Sequence, residues 1–215
     1  MPTQRFYHIR PKKRAAIKDA IIRQLSEAPI ENFSAKKLSE ELDLASGSFS
    51  GYFESRADMI NYILQDYIDY EEKLFGELLE KIKSNAFSEI TEIVEKLVEF
   101  AESDGLLPVL KNLFADIKVS INSSFEYIAQ ETGEIADQIQ PILMEKIIKD
   151  AETNEEKLRE VINNAVQLAV LSYRYTLTEI YNHYERKEQY LQMFRLEIQI
   201  ILEGLIDLIK KEINQ

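Results

Sequence analysis

The chain has 215 residues, 45% apolar and 30% charged, with 26 Lys+Arg against 38 Asp+Glu and a formal net charge of −12. That length reads as one large domain or a small one joined to a larger one, and the apolar share supports a buried core rather than compositional disorder. No cysteine is present, which excludes disulfides, thiolate metal sites and cysteine nucleophiles, and two histidines, His8 and His183, leave little for a histidine-rich metal site.

The chain opens on MPTQRFYHIR, which lacks the apolar stretch of a secretory signal, so a cytoplasmic location is the expectation. Residues 1–18 carry Arg5, Arg10, Lys12, Lys13, Arg14 and Lys18 with no acid among them. Over residues 1–56 there are 10 Lys+Arg against 7 Asp+Glu, whereas residues 57–215 hold 16 against 31. A small basic end attached to a large acidic body is the pattern of a nucleic-acid-facing module on a body that stays away from phosphates, although a merely solvated basic tail gives the same count.

Pro11 suits the first turn of a helix over 12–26, with Ile17, Ile21 and Leu25 on one face. Ser34 is placed to cap a short helix over 35–42, whose Leu38 and Leu42 fall four apart on one side. Asp43 and Leu44 then read as a tight turn. Ser46 is placed to cap a second short helix with Phe49 and Phe53 pointing inward. A long helix follows residue 56, marked by Ile60, Ile63, Leu64, Tyr67, Leu74, Leu78, Leu79 and Ile82, and Ser55 with Asp58 forms a variant capping box at its start. Ile90, Ile93, Val94, Leu97, Val98 and Ala101 make an amphipathic stripe that ends near Gly105. Thr153 and Glu156 repeat the capping signal ahead of an apolar run from Leu158 to Tyr173.

Near the end, Leu191, Phe194, Ile198, Ile201, Leu205 and Leu208 are spaced 3, 4, 3, 4 and 3, a heptad-like seam. Leu202, Ile206 and Ile209 add a second stripe, so one side of this helix can meet its own core and the other a second copy. The longest apolar run, Leu168 to Leu171, is far short of the roughly 20 residues of a membrane span, so no membrane partner is expected. Glycine (6) and proline (5) are too few for a strand-and-turn protein, and no convincing strand pattern occurs, so the expected fold class is all-α, with eight to ten helices.

Two short helices joined by a tight turn, with apolar residues inward on both, make a helix-turn-helix, and a plain αα-corner satisfies the same spacing. Ser34, Leu38, Ser39, Leu44, Ala45, Gly47, Ser48, Phe49, Ser50, Tyr52, Phe53, Arg56, Ala57 and Met59 decide between them. In this order the segment resembles the DNA-binding domain of the TetR family of one-component transcriptional regulators, over about 45–50 residues from Arg14 to Ile60. Three positions depart from the family's pattern. Asp43 replaces the turn glycine, and aspartate tolerates left-handed backbone better than most residues; Ser50 replaces a tyrosine; Arg56 replaces a lysine.

The resemblance implies an N-terminal helix-turn-helix domain over 1–56 and a larger helical effector-binding and dimerisation domain over 57–215. It implies that Ser34, Ser48, Tyr52 and Arg56 hold phosphates, that Ser46, Gly47 and Ser48 lie against bases, and that Lys36 and Lys37 flank the backbone or groove edge; Ser50, small and outward on the same segment, belongs to the DNA-facing set but lacks the phosphate contact of the tyrosine it replaces. Arg5, Arg10, Lys12 and Lys13 would form a mobile basic arm. The implied partners are a pseudo-palindromic double-stranded DNA operator, a second copy of the chain through the 191–208 seam, and a small effector, apolar or anionic. Phe100, Leu107, Leu110, Phe114, Ile117, Phe125, Tyr173 and Leu177 could wall its cavity, and Arg174 is the cation that an anionic effector would meet.

Neither histidine has a glutamate three residues ahead, and no nucleotide-loop or serine-hydrolase motif occurs, so no enzyme, metal or cofactor is expected. The competing reading is a helical protein-interaction module that uses the helix-turn-helix as scaffold.

Overall fold

The computed structural model describes residues 2–45, 47–82, 90–115, 141 and 155–213, and among these every regular element is helical, as expected. Contacts divide the chain into two units, Met1–Asp69 with Phe100–Ile128 and Tyr70–Glu99 with Ala129–Gln215. The basic head expected over 1–56 lies inside the first.

The first unit begins with a one-turn helix, α1 (Gln4–Tyr7), followed by α2 (Pro11–Glu27) and α3 (Ala35–Glu41). Pro11 occupies the first turn of α2, where its missing N–H costs nothing. Ile17, Ala20, Ile21 and Leu25, at i, i+3, i+4 and i+8, are the buried face of α2. α4 (Arg56–Ile82) starts on the anticipated box: the Asp58 N–H donates to Ser55 Oγ (3.0 Å) and the Ser55 N–H to Asp58 Oδ2 (3.1 Å). Residues 56–69 of this helix belong to the first unit and 70–82 to the second.

α5 (Ile90–Ser103) buries Ile93, Val94, Leu97, Val98 and Ala101, the stripe read from its spacing. It stops because Gly105 turns left-handed (φ 70°), so that the Leu106 N–H bonds back to Ala101 O (2.9 Å) and the Gly105 N–H to Glu102 O (3.3 Å). This is the Schellman pattern, which satisfies carbonyls the helix would otherwise leave open. α6 (Leu107–Ala115) follows, and its Asn112 amide donates to Leu25 O and Ser26 O, both at 2.9 Å, closing the carbonyl end of α2.

In the second unit α7 (Glu155–Asn182) and α8 (Lys187–Ile213) run antiparallel through a one-turn 3-10 helix at Tyr184–Arg186. Their shared core holds Tyr173, Leu177 and Ile180 from α7 and Leu191, Phe194 and Ile198 from α8. Each such side chain contributes roughly 1.5–3 kcal/mol on burial. Thr153, half of the second capping signal, lies outside the described residues, as do Ile117 and Phe125.

Candidate nucleic-acid interface

α3 is held against α2 by an ion pair between Arg23 and Glu41 and by its buried Leu38. Ser34 stands at its N-cap, but its hydroxyl makes no capping bond; its N–H is taken by Gln24 Oε1 (3.2 Å). The turn after α3 repeats the Schellman geometry seen after α5. The Leu44 N–H bonds to Ser39 O (2.8 Å) and the Asp43 N–H to Glu40 O (3.4 Å), with Asp43 at φ 49°. The aspartate therefore does what a glycine would do there, at the cost of a left-handed non-glycine residue.

The segment after the turn departs from expectation. Instead of a second α-helix capped by Ser46, the chain forms a single 3-10 turn, Phe49–Gly51. Gly47 at φ 88° breaks the helical run before it can lengthen. Ser46 itself lies outside the described residues. The inward residues are as read: Phe49 and Phe53 are buried with their rings stacked 6.3 Å apart. Gly47 and Ser50 face solvent, Ser48 is half-exposed, and Ser50 Oγ folds back to donate to Gly47 O (2.7 Å).

Lys36 and Lys37, implied to flank the DNA backbone or groove edge, are exposed on α3. Lys36 pairs loosely with Glu40 at 3.9 Å, a solvated contact worth little. Arg56 donates to Ile30 O while its guanidinium sits 5.9 Å from the centre of the Phe33 ring, which fixes its direction at the start of α4. Tyr52 is only 5% exposed, so it belongs to the core of the turn. Phe33, Phe49, Phe53 and Met59 floor a groove of about 220 Å³ whose rim carries Ser50 and Arg56.

Sequence reasoning missed the role of the N-terminus. Arg5 belongs to α1, which is docked: the Thr3 N–H donates to Tyr52 O and the Thr3 hydroxyl to Gly51 O, both at 2.8 Å. The expected mobile arm is therefore a fixed element as far as Arg5 is concerned, with Arg10, Lys12 and Lys13 at the start of α2. The signal available was Phe6, an aromatic residue set in a basic tail.

In the second unit, the heptad-like seam is turned inward. Leu191, Phe194, Ile198 and Leu205 are buried within their own chain, and Ile201 is half-buried. Leu208 is 47% exposed, and a different stripe of α8, Met193, Leu196 and Ile200, faces solvent, as do Leu168, Leu171 and Tyr175 on α7. The correction has a simple cause. α7 covers the stripe that carries a ring, Phe194, which packs 6.5 Å from Tyr173, while of the second expected stripe Leu202 and Ile209 are half-buried and Ile206 is exposed.

The implied effector residues divide between the units. Phe114 is buried in the first, and Tyr173, Arg174 and Leu177 belong to the second. Tyr173 donates its hydroxyl to the buried Glu71 carboxylate. Burial and the negative charge of Glu71 push the Tyr173 phenol well above its ordinary range. Burial pulls the Arg174 guanidinium down, and Glu71 opposes that pull, so the arginine already answers to an internal acid. Among the described residues no group of three His, Asp or Glu is placed to hold a metal, and no helix is long and apolar enough to cross a membrane.

No family model matches the chain, and no curated protein does. In structure it is similar to a TetR family transcriptional regulator from Chloroflexus aurantiacus J-10-fl, with a TM-score of 0.47 and 16% identity, over 95% of this chain and 98% of that one.

Proposed function

We propose that the chain is a DNA-binding transcriptional regulator, of the repressor kind, that holds a pseudo-palindromic operator as a homodimer and releases it when a small effector enters its second unit. One observation carries the reading. A left-handed turn at Asp43 joins α3 to a short segment whose aromatic residues are buried and whose outward residues, Gly47, Ser48 and Ser50, are small and polar, on the basic end of an acidic chain. Small outward residues let a backbone approach base edges, while Ser34, Lys36, Lys37, Tyr52 and Arg56 supply the contacts to phosphates.

Two such heads reach successive major grooves only when a two-fold mate spaces them by about 34 Å or a multiple of the helical turn. The exposed stripes of α7 and α8 are the face for that mate. A single exposed leucine needs no explanation, but Leu168, Leu171, Leu196 and Ile200 at helical spacing do. For the effector, the charge of Arg174 is already set against Glu71, which favours an apolar molecule over an anion. Binding acts on the operator only through different affinities for two conformations.

The experiment is retention of genomic fragments by the purified chain, followed by titration of the best fragment with wild type and Lys37→Gln. Lys37 is exposed, and its loss is expected to weaken binding uniformly and to lower the salt slope by about one per head. Failure to retain any duplex at low salt, where phosphate contacts are strongest, would leave the protein-interaction reading in its place.

A further inference from the structure

Residues 3–7 are fastened to the recognition turn from two sides. Besides the two bonds from Thr3, Phe6 is fully buried, with its ring centroid 4.9 Å from Phe53, 5.0 Å from Tyr62 and 6.0 Å from Tyr52. Arg14 in α2 donates to Tyr7 O at 3.0 Å. A segment held by backbone bonds and a buried ring has a fixed register, and that register throws Arg5 across the turn. Its guanidinium carbon stands 5.8 Å from the centre of the Tyr52 ring, and Nη1 lies 2.8 Å from the point a Cβ on residue 51 would occupy. Lys13, in the first turn of α2, brings Nζ to 6.0 Å from the same ring centre.

Two cations thus converge on one ring, and among the described residues neither forms an ion pair with a carboxylate. The ring attracts each of them, but no carboxylate among the described residues pairs with either charge. We propose that Arg5, Lys13 and the Tyr52 ring form a preformed seat for one backbone phosphate of a DNA duplex, and that residue 51 is glycine because the seat needs its space. This rests on the DNA-binding reading above and adds to it a contact made by a docked segment. A docked arginine has already lost its chain entropy on folding, so it does not lose it again on binding, as a mobile arm does. The seat borders Gly51 on the very element that faces the bases, which makes the duplex's own phosphate the anion within reach.

Gly51 also provides the test. It does not occupy the left-handed region, and the atom an added methyl would meet is the tip of a flexible arginine. Gly51→Ala therefore displaces Arg5 and leaves the fold intact, which a thermal melt checks. The full chain is titrated by anisotropy against a labelled duplex of arbitrary sequence, about three helical turns long, across a salt series. The variants are Arg5→Gln, Gly51→Ala, their double, and Lys37→Gln.

The seat predicts that Arg5→Gln and Gly51→Ala each weaken binding about tenfold, with a salt slope lower by about one per head. It also predicts that the double variant binds no worse than Arg5→Gln alone, because both changes remove one contact. Additive losses would show that the two residues act separately and overturn the shared seat. Wild-type affinity in both single variants, alongside a loss in Lys37→Gln, would overturn the seat and leave the DNA-binding reading standing. No binding by the wild type at low salt would overturn both.

Discussion

Around the turn at Phe49–Gly51, the buried rings of Phe6, Phe49, Tyr52 and Phe53 and two bonds from Thr3 gather about a segment of a single 3-10 turn, whereas α7 and α8 bury their rings along helices of 28 and 27 residues. The turn depends on contacts from Thr3 and Phe6, of which the Thr3 bond to Gly51 spans 48 positions in sequence. The long helices depend on a periodic stripe that each carries within itself. The difference teaches what a pattern of spacing can and cannot decide. It identifies the helices and their apolar stripes without naming the partner that covers each stripe.

The sharpest way to break the comparison is on α8, where one apolar stripe is buried within the chain and another, Met193, Leu196 and Ile200, faces solvent. Phe194→Ala is expected to cost about 3–5 kcal/mol of unfolding free energy, because it empties a fully buried site. Ile200→Ala, at a residue 67% exposed, is expected to cost far less in a monomer. The double variant Leu196→Glu/Ile200→Glu should keep the melting curve of an isolated subunit while abolishing the proposed dimer in sedimentation. A dimer that survives those charges would mean that another face pairs the subunits. Equal costs for Phe194→Ala and Ile200→Ala in denaturant titrations would mean that the seam and stripe have been exchanged.

Much of the fold was legible because its determinants are local. Ser55 and Asp58 bond each other across three residues, Pro11 needs only its own missing donor, and Asp43 needs only a tolerant side chain. The stripe of α5 could be counted directly from Ile93 to Ala101. The candidate site was legible where its residues face outward from such elements, as Lys36 and Lys37 do on α3. It was illegible where the answer lies across the chain. Nothing near Phe6 says that its ring will meet Tyr52, Phe53 and Tyr62, and so nothing placed Arg5 over the turn. Likewise, Tyr173 and Arg174 gave no hint that Glu71 would be the acid they share.

That shared acid gives the next prediction, intermediate in size. Tyr173→Phe removes the hydroxyl that donates to buried Glu71 and is expected to cost about 1–3 kcal/mol near neutral pH. The folded chain keeps the phenol protonated where an unfolded tyrosine would begin to release its proton, near 10.0. The stability this contributes is therefore present below that pH and is lost as the pH rises beyond it. The variant has no such proton, so the gap between the two unfolding curves should narrow at alkaline pH. A gap that widens there would place the phenolate, not the phenol, in the folded state.

The smallest effect separates conformation from charge in the turn of the head. Asp43 is exposed at φ 49°, so alanine at that position keeps the left-handed geometry without the tolerance of aspartate and is expected to lower stability by about 1 kcal/mol. Glycine removes the strain but adds freedom to the unfolded chain, and the two nearly cancel, leaving a change within about 1 kcal/mol of zero. Asparagine tolerates the same backbone and carries no charge, so Asp43→Asn should leave the unfolding midpoint where it is. If the head meets a duplex, removing this negative charge should raise affinity at low salt, with the gain fading as salt screens it. Aspartate, asparagine and glycine chains of equal stability but different duplex affinity would show that Asp43 weakens the head through its charge. Equal affinities would confine its role to the bend of the backbone.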